Sequence, residues 1–412
     1  MYIVISLVII ANLYLFYKFY RTSFIKFFMM KIFNTFEYGN LKIIDVKNNN
    51  ETIFKKINDE TEHTSVVYID NLNDFLTNVW DKSELGIGET YVNGYWHSDD
   101  LLQFMLVLLK NRNNTSIPTF SAYNFYSKSL EYDKTNVSSH YDVGNDFYET
   151  FLTDKLSAYT CGFFLNNNTT LEEAQYNKVN MIIKKMNPAQ NKTILDVGCG
   201  WGKIANYVAE QTNCKVTGIT ISKEQVKYIK NTLKNINVIE QDYRELHDKF
   251  GYIYSIGMFE HVRYENYDEF FKMVKRCLHK DGRCVLHTII SLEETSKASV
   301  NETFISKHIF PGAQIPNNDW IVNSVMRNKL NIIHTEYFGG QHYAKTLHLW
   351  RESMLKNKEY ILKTYDKKLL DTYEYYFASC EAAFTCGSMG ICHYVITNDI
   401  TVDLDNNYVL FK

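Results

Sequence analysis

Apolar and polar positions alternate in a regular order from residue 139 onward, where short apolar runs are separated by longer amphipathic stretches. Capping boxes at Thr170–Glu173 and Ser222–Gln225 predict helix starts, the first helix running through Met186. Asn266–Leu278 is also predicted to be helical. The predicted strands are Thr193–Val197, Lys215–Ile219, Asn237–Ile239, Tyr252–Ile256 and Cys284–Ile290. Strands alternating with helices predict an α/β fold with a mostly parallel sheet and helices on both faces.

The preceding part of the chain has a different pattern. Leu41–Val46 and Thr52–Phe54 read as a hairpin around a polar turn, and Val66–Ile69 reads as a further strand. Asn71–Trp80 and Leu101–Lys110 are predicted to be helices. We therefore expect four segments: an apolar and basic segment at 1–31, a small α+β domain at 32–115, a linker at 116–138 and the larger domain at 139–412.

The first residues are the most apolar of the chain. Ile3–Tyr17 is almost wholly apolar, and the basic residues Lys18, Arg21, Lys26 and Lys31 follow it among aromatic side chains. Positive charge after an apolar segment favours a cytoplasmic location for the rest of the chain. We expect a hydrophobic helix that associates with a membrane, either spanning it or lying in the headgroup layer. The alternative is a helix packed on the protein.

Composition narrows the function classes. The chain is 45% hydrophobic and 15% aromatic, which is typical of a globular protein. Its net charge of −3 gives no general attraction to nucleic acid, which is not expected as a partner. The eight cysteines are scattered through a long chain, so reduced thiols are expected rather than a disulfide framework. No cysteine spacing indicates a metal site.

One stretch has the form of a nucleoside site. The predicted strand Thr193–Val197 is followed by Gly198, Gly200 and Gly202, and then by a helix. Glycines at alternate positions allow a tight turn and a close approach of backbone to a ligand. The G-x-G-x-G spacing differs from that of pyrophosphate-binding turns and favours S-adenosylmethionine. The alternative is an ordinary connection between a strand and a helix.

Ligands of such sheets bind at the carboxyl ends of the strands. Asp196 ends the first predicted strand, and Thr220 and Gln225 follow the second. Glu260 follows the fourth, and His287 is placed at the end of the fifth within an apolar run. We expect Glu260 and His287 to converge beside the cofactor, although a lone histidine in an apolar strand is often a core residue.

Taken together, these segments resemble the cyclopropane-fatty-acyl-phospholipid synthase and mycolic acid cyclopropane synthase family. Phe304–Gly312 and His342–Leu347 resemble that family in particular. Leu85–Trp96 resembles the small N-terminal domain of its phospholipid enzymes, which implies that the α+β domain at 32–115 is lipid-associated. The resemblance implies a Rossmann-like class I methyltransferase domain. It covers nearly everything after the apolar N-terminus, which is not a usual part of the bacterial enzymes.

The resemblance also implies two sets of site residues. The residues on cofactor positions would bind S-adenosylmethionine: Tyr159, Thr160, Asp196, Gly198, Cys199, Gly200, Trp201, Gly202, Thr220, Gln225, Tyr243 and Arg244. The residues on catalytic positions would hold a bicarbonate ion: Cys161, Glu260, His287, Tyr343 and Cys380. Two departures are Arg263, where the family often has glycine, and the Tyr243–Arg244 pair at the adenine edge.

The implied reaction adds a methylene group from S-adenosylmethionine to the cis double bond of an unsaturated phospholipid acyl chain. Methyl transfer to the alkene would leave a carbocation, which bound bicarbonate would deprotonate to close the ring. Glu260 is expected to accept a hydrogen bond from the bicarbonate hydroxyl or to stay neutral. Alternatives are an enzyme that makes methyl-branched chains or methylates a small amine, and a non-catalytic lipid-binding protein. A homodimer is left open.

Overall fold

A computed structural model describes residues 20–54, 64–112, 144–293 and 302–399. The chain divides into two compact units. The first contains residues 1–123, 301–304 and 365–382, and the second contains residues 124–300, 305–364 and 383–412. The predicted linker at 116–138 and most of the apolar N-terminal segment lie outside the described residues.

The first unit contains a four-stranded sheet in the order β2-β1-β3-β4. Its strands are β1 (Asn40–Asp45), β2 (Asn50–Phe54), β3 (Thr64–Ile69) and β4 (Trp96–Ser98). The predicted hairpin is present, because β1 and β2 pair antiparallel with Leu41 opposite Phe54. Residues of β1 and β3 alternate between buried and partly exposed positions, which is the period of a sheet with one buried face.

Within residues 20–54 and 64–112 the helices of this unit are α1 (20–34), α2 (Leu72–Lys82), α3 (Glu84–Val92) and α4 (Leu101–Asn111). Two later helices begin at the unit's other segments, α10 (Phe304–His308) and α14 (Lys367–Thr385). The predicted helices at 71–80 and 101–110 correspond to α2 and α4. Asn71 and Asp100 cap them, each side chain accepting a hydrogen bond from a backbone N–H of the first turn.

The second unit is built on a seven-stranded sheet in the order β10-β11-β9-β8-β5-β6-β7. Its strands are β5 (Thr193–Val197), β6 (Lys215–Thr220), β7 (Ile236–Glu240), β8 (Phe250–Ile256), β9 (Leu278–Ser291), β10 (Asn331–Phe338) and β11 (Met389–Thr397). Strands β5 to β9 pair in parallel, and β11 runs antiparallel to both β9 and β10. The predicted α/β Rossmann-like fold is confirmed, with a mixed sheet.

The helices of the second unit are α5 (Asn145–Glu149), α6 (Leu171–Met186), α7 (Lys203–Thr212), α8 (Lys223–Thr232), α9 (Tyr267–Cys277), α11 (Asn318–Arg327), α12 (Gln341–Lys356) and α13 (Lys358–Thr364). Two apolar clusters of buried residues lie against the sheet. One includes Phe270, Phe271 and Val274 of α9, and the other includes Val179 and Ile182 of α6. The spacing of these side chains at three and four residues places them on the buried face of each helix.

The predicted capping box at Thr170 is present in full, with reciprocal hydrogen bonds to Glu173. At Ser222 only half of the predicted box forms, because the Ser222 side chain accepts from the Gln225 N–H. The Gln225 side chain instead accepts a hydrogen bond from the Thr220 hydroxyl at 2.6 Å. The Thr220–Gln225 hydrogen bond holds these two predicted cofactor residues together at the end of β6.

The predicted membrane localisation through an N-terminal helix is wrong. Within the described ranges, no helix combines the length and the apolar character needed to cross a bilayer. Helix α1 contains the part of the predicted apolar and basic segment at 1–31 that the structure describes, and it buries Ile25, Met29 and Phe33 at intervals of four residues. One face of α1 is therefore part of the folded unit, whereas Ile3–Tyr17 lies outside the described residues.

Candidate active site

The glycine turn between β5 and α7 has a backbone that requires glycine. Gly198, Gly200 and Gly202 have φ angles of +84°, +54° and +74°. A Cβ atom on Gly198 would lie 2.5 Å from Cγ of Met258, whereas one on Gly200 would meet nothing within 4 Å. A Cβ on Gly202 would lie 2.8 Å from Cγ1 of Ile229. The alternation of glycines therefore allows the left-handed conformation at all three positions and also close packing at the first and the third.

A cavity opens beside this turn at the carboxyl ends of the parallel strands. Six predicted cofactor residues line it: Gly198, Gly200, Thr220, Gln225, Tyr243 and Arg244. The other lining residues are Val197, Ile219, Ile221, Gln241, Asp242, Gly257, Met258, His261, Val262, Arg263, Asn266, Phe310, Pro311 and Gly312. The position is the one at which open α/β sheets bind their ligands.

Asp242 lies in this wall and fixes the orientation of Arg244. Its two carboxylate oxygens accept hydrogen bonds from Nε and Nη2 of Arg244, at 2.8 and 2.9 Å. The guanidinium group also lies 5.5 Å from the centroid of the Tyr243 ring. Arg244 is thus held by a bidentate pair and a ring contact, which makes the end of β7 a preorganised polar surface.

The other predicted cofactor residues are not among those that line the cavity. Cys199 packs on β6, where a Cβ on Gly218 would lie 2.7 Å from its Sγ. The Trp201 ring lies 5.3 Å from that of Tyr228, and Gly202 is the N-cap of α7. These three residues therefore contribute to the packing and the backbone of the turn, and none of them lines the cavity.

Asp196 lies below the turn, at the end of β5. The Tyr254 hydroxyl donates a hydrogen bond to its Oδ2 at 2.9 Å. Burial raises the pKa of Asp196 to about 7, and the tyrosine bond opposes this rise only in part. Asp196 is therefore a buried carboxyl group that supports the turn from within the sheet.

Glu260 lies in a single 3₁₀ turn, Phe259–His261, directly after β8. Its Oε1 accepts a hydrogen bond from the Ile289 N–H of β9 at 2.7 Å. Its Oε2 is buried and has no hydrogen-bond partner among the described residues. Burial raises the pKa of Glu260 to about 7, opposed by the Ile289 hydrogen bond. Glu260 thus has one buried carboxyl oxygen without a partner in the described chain, although Glu260 is not among the residues that line the cavity.

His287 lies on β9 opposite Ile256, the last residue of β8. The strand continues to Ser291, so His287 lies at the level where β8 ends but not at the end of β9. Its Nδ1 lies 2.7 Å from Nε2 of His393 on β11. Its Nε2 makes no hydrogen bond to any described residue. Burial lowers the pKa of His287 well below its ordinary value, which favours the neutral ring.

Thr160 and Cys161 face a lysine that sequence reasoning missed. Lys178 of α6 is 1% exposed, and its Nζ lies 2.5 Å from Oγ1 of Thr160 and from Oε1 of Gln175. Burial lowers the pKa of Lys178 to about 8. Burial also raises the pKa of Cys161 to about 12, although the lysine opposes the rise. Cys161 is therefore a neutral thiol close to a buried cationic group.

Tyr159 and Tyr343 belong to a row of aromatic rings that begins at the cavity. Phe310, in the cavity wall, lies 5.9 Å from Tyr159 between ring centroids. Tyr159 lies 5.3 Å from Trp350, which lies 6.2 Å from Tyr343. We call Phe310, Tyr159, Trp350 and Tyr343 the aromatic row. Trp350 is fully buried, and Phe310 is the member of the row that lines the cavity, so the row is a packed aromatic layer behind the cavity wall.

Cys380 lies in the first unit, on α14. Burial raises the pKa of its thiol to about 12, and the carboxylate of Glu84 at the start of α3 adds to the rise. Cys380 is therefore a neutral thiol and a poor nucleophile. All eight cysteines, each in a described part of the chain, are free thiols.

A glycine turn after the first parallel strand and a cavity at the carboxyl end of the sheet define a nucleoside-binding α/β enzyme. The class is the S-adenosylmethionine-dependent methyltransferases. The family model for mycolic acid cyclopropane synthetase matches residues 128–394. The chain belongs to that family, as the resemblance indicated, and it is an S-adenosylmethionine-dependent methyltransferase of the cyclopropane synthase type.

Individual proteins are similar over most of the chain. Cyclopropane-fatty-acyl-phospholipid synthase of Escherichia coli (strain K12) is 32% identical over 345 residues, which are 79% of this chain and 86% of that protein. The cyclopropane synthase MmaA2 from Mycobacterium tuberculosis is 27% identical, with a TM-score of 0.58, over 64% of this chain and 97% of that one. Mycolic acid cyclopropane synthase CmaA1, complexed with SAH and CTAB, is 29% identical, with a TM-score of 0.59, over the same shares.

Proposed function

We propose that this enzyme transfers a methylene group from S-adenosylmethionine to the cis double bond of an unsaturated phospholipid acyl chain, forming a cyclopropane ring. The family and the relative from Escherichia coli support this activity. The observation that carries it is the pair Glu260 and His287. Each presents an atom without a protein partner in the described chain, and neither is itself a lining residue of the cavity. Both lie next to the lining, because His261 follows Glu260 in the chain and the Gly257 N–H donates a hydrogen bond to the His287 carbonyl.

An alkene is a weak and neutral nucleophile, so its reaction depends on alignment and on the exclusion of water. The aromatic row begins in the cavity wall at Phe310, and its partly exposed members Phe310, Tyr159 and Tyr343 would offer apolar surface to an acyl chain. Its ring faces would stabilise a carbocation through their negative quadrupoles. These side chains would favour charge development on the acyl chain while protecting it from capture by water.

The residues also fit a bicarbonate ion. Bicarbonate carries a hydroxyl group and two further oxygens, and it requires both an acceptor and donors. Oε2 of Glu260 is a buried acceptor without a partner, and neutral His287 can donate from Nε2. Lys178 adds a buried positive charge close to Cys161. When bound, bicarbonate would supply the base that removes the proton lost on ring closure.

The experiment is incubation of the purified full chain with S-adenosylmethionine labelled with deuterium in its methyl group. Phosphatidylcholine vesicles with cis-monounsaturated chains serve as acceptor, and the acyl chains are analysed by mass spectrometry. A cyclopropane retains two of the three deuterium atoms, because the transferred CD3 group loses one deuteron when the ring closes. A methyl branch retains all three, so this result would contradict the proposal and favour the branched-chain alternative.

Vesicles with saturated chains control for transfer to other groups. Glu260→Gln keeps the size of the side chain and removes its negative charge and one acceptor. It should lower kcat by about 10²- to 10⁴-fold, with the affinity for S-adenosylhomocysteine changed by no more than a few fold. Glu269→Gln, at an exposed glutamate on α9 that pairs with Lys272, is the matched control. Equal losses in both variants would contradict the role of Glu260.

A further inference from the structure

Helix α6 carries a second buried lysine, one that the proposed chemistry does not use. Lys185 lies seven residues after Lys178, on the same face of the helix, and is 5% exposed. Its Nζ forms an ion pair with Oε2 of Glu336 on β10 at 2.5 Å and lies 5.0 Å from the centroid of the Phe338 ring. A buried lysine is costly unless it is paired, and the Glu336 carboxylate and the Phe338 ring supply that pairing here.

Lys185 also reaches the candidate active site through a histidine. Its Nζ lies 2.7 Å from Nδ1 of His393, and Nε2 of His393 lies 2.7 Å from Nδ1 of His287. His393 and His287 are register partners on the antiparallel strands β11 and β9. We call Lys185, His393 and His287 the Lys–His–His row. All three side chains are buried, so solvent does not supply alternative partners.

The row has a direction because an ammonium group can only donate hydrogen bonds. Nδ1 of His393 must therefore accept from Lys185, and a neutral His393 then carries its proton on Nε2. This N–H donates to Nδ1 of His287, which leaves the proton of His287 on its own Nε2. Burial lowers the pKa of both histidines well below the ordinary value, in keeping with neutral rings.

We propose that Lys185 and His393 are positioning residues that fix His287 in the tautomer with its proton on Nε2. That atom makes no hydrogen bond to any described residue, so its N–H is available to an oxygen atom of a bound species. Any effect of this Nε2–H donor on kcat rests on the proposed function. The tautomer itself is a property of the folded chain and can be measured without any reaction.

The experiment is a long-range proton–nitrogen correlation spectrum of the full chain labelled with ¹⁵N-histidine, with His287→Gln used to assign the signals of His287. Wild-type protein should show His287 with a bare Nδ1 and a protonated Nε2. Lys185→Met keeps the aliphatic stem and removes the donor, and His393→Leu removes the link. Both should lower the fraction of this tautomer and lower kcat by about 10- to 100-fold.

Conservative variants separate positioning from packing. His393→Gln retains an acceptor for Lys185 and an N–H for His287, so it should keep the tautomer and restore most of kcat relative to His393→Leu. Lys184→Met, the same change at the neighbouring exposed position of α6, is the matched control. Titration with S-adenosylhomocysteine should give affinities within a few fold for every variant, which shows that each is folded.

A wild-type His287 with its proton on Nδ1 would overturn the proposal whatever the activity. A His393→Leu variant with an unchanged tautomer and unchanged kcat would overturn it as well. If the tautomer is as expected and responds to the variants while no protein forms lipid product, the proposed function fails and the assignment of the row stands. The two proposals can therefore fail separately.

Discussion

The Glu260 carboxyl group is buried, and its hydrogen bonding offsets the cost of burying a charge only in part. One oxygen accepts from the Ile289 N–H, and the other has no partner among the described residues. Because water is excluded, the charged form of the carboxyl is disfavoured and its pKa is raised to about 7. At neutral pH, Glu260 can therefore hold a proton or release it at small cost.

This raised pKa predicts a pH-dependent stability. Between its ordinary pKa of 4.5 and about 7, Glu260 keeps its proton in the folded protein while the unfolded chain has lost it. Its stabilising contribution is therefore complete below about pH 4.5 and is lost as pH rises through 7. Glu260→Gln stays neutral throughout. As pH rises over that interval, the free energy of unfolding of the variant minus that of wild type should therefore increase by up to about 3 kcal/mol.

Urea denaturation at a series of pH values between about 4.5 and 8 measures this difference. Using the difference between variant and wild type removes the contributions of the buried histidines, which have the opposite sign. Glu269→Gln provides the exposed comparison. A difference for Glu260→Gln that is constant over the interval would mean that Glu260 ionises in the folded protein as it does in the unfolded chain.

At the scale of elements, the glycines of the β5–α7 turn serve two purposes, a left-handed backbone conformation and close packing against a neighbouring side chain. Gly198 and Gly200 both have positive φ angles, but only at Gly198 would a Cβ overlap a neighbour, Met258. Alanine at either position should cost about 1–3 kcal/mol in backbone strain. Gly198→Ala should add a displacement of Met258, which is part of the cavity wall.

We therefore expect Gly198→Ala to weaken S-adenosylhomocysteine binding more than Gly200→Ala, by at least about tenfold. Isothermal titration calorimetry measures the affinities, and thermal unfolding without ligand measures the shared strain. Equal affinities for the two variants would show that close packing against Met258 has no part in shaping the cavity. Gly94→Ala, at a positive φ angle with nothing within 4 Å and in the first unit, controls for strain alone.

Much of the second unit could be predicted from the sequence because its pattern is local. A strand, a turn of glycines and a capped helix follow each other directly, so the strand-end argument led to Gly198, Thr220 and Gln225 on one cavity. Glu260 and His287 were expected to converge for the same reason. Hydrogen bonds do tie both to neighbouring strands, although β9 continues beyond His287.

The missed residues depend on contacts that local pattern does not contain. Lys178 and Lys185 lie on the buried face of α6, where periodicity alone assigns lysine to solvent. One available signal was their spacing of seven residues, in step with buried Val179 and Met186. His393 was hidden for another reason. Its partner is 106 residues earlier, and the position of β11 between β9 and β10 is a long-range pairing.

At the scale of the whole molecule, thiol chemistry reports on burial in both units. Cys161 and Cys284 in the second unit and Cys380 in the first have pKa values raised to about 12, chiefly by desolvation. Because the thiolate is the reactive form, iodoacetamide at pH 8 should label these three at least tenfold more slowly in the folded protein than in urea. Mass spectrometry of peptides resolves each site, and rapid labelling of Cys380 alone would show that the first unit opens independently.

The place of β11 in the sheet bears on how the enzyme is made. Strand β10 precedes β11 in the chain, yet β11 lies between β10 and β9 and pairs with both. A nascent chain that has emerged from the ribosome as far as residue 388 therefore has β9 without its antiparallel neighbour and His287 without His393. Synthesis itself would delay the maturation of the site, so an incomplete chain could bind the nucleoside before it could carry out the reaction.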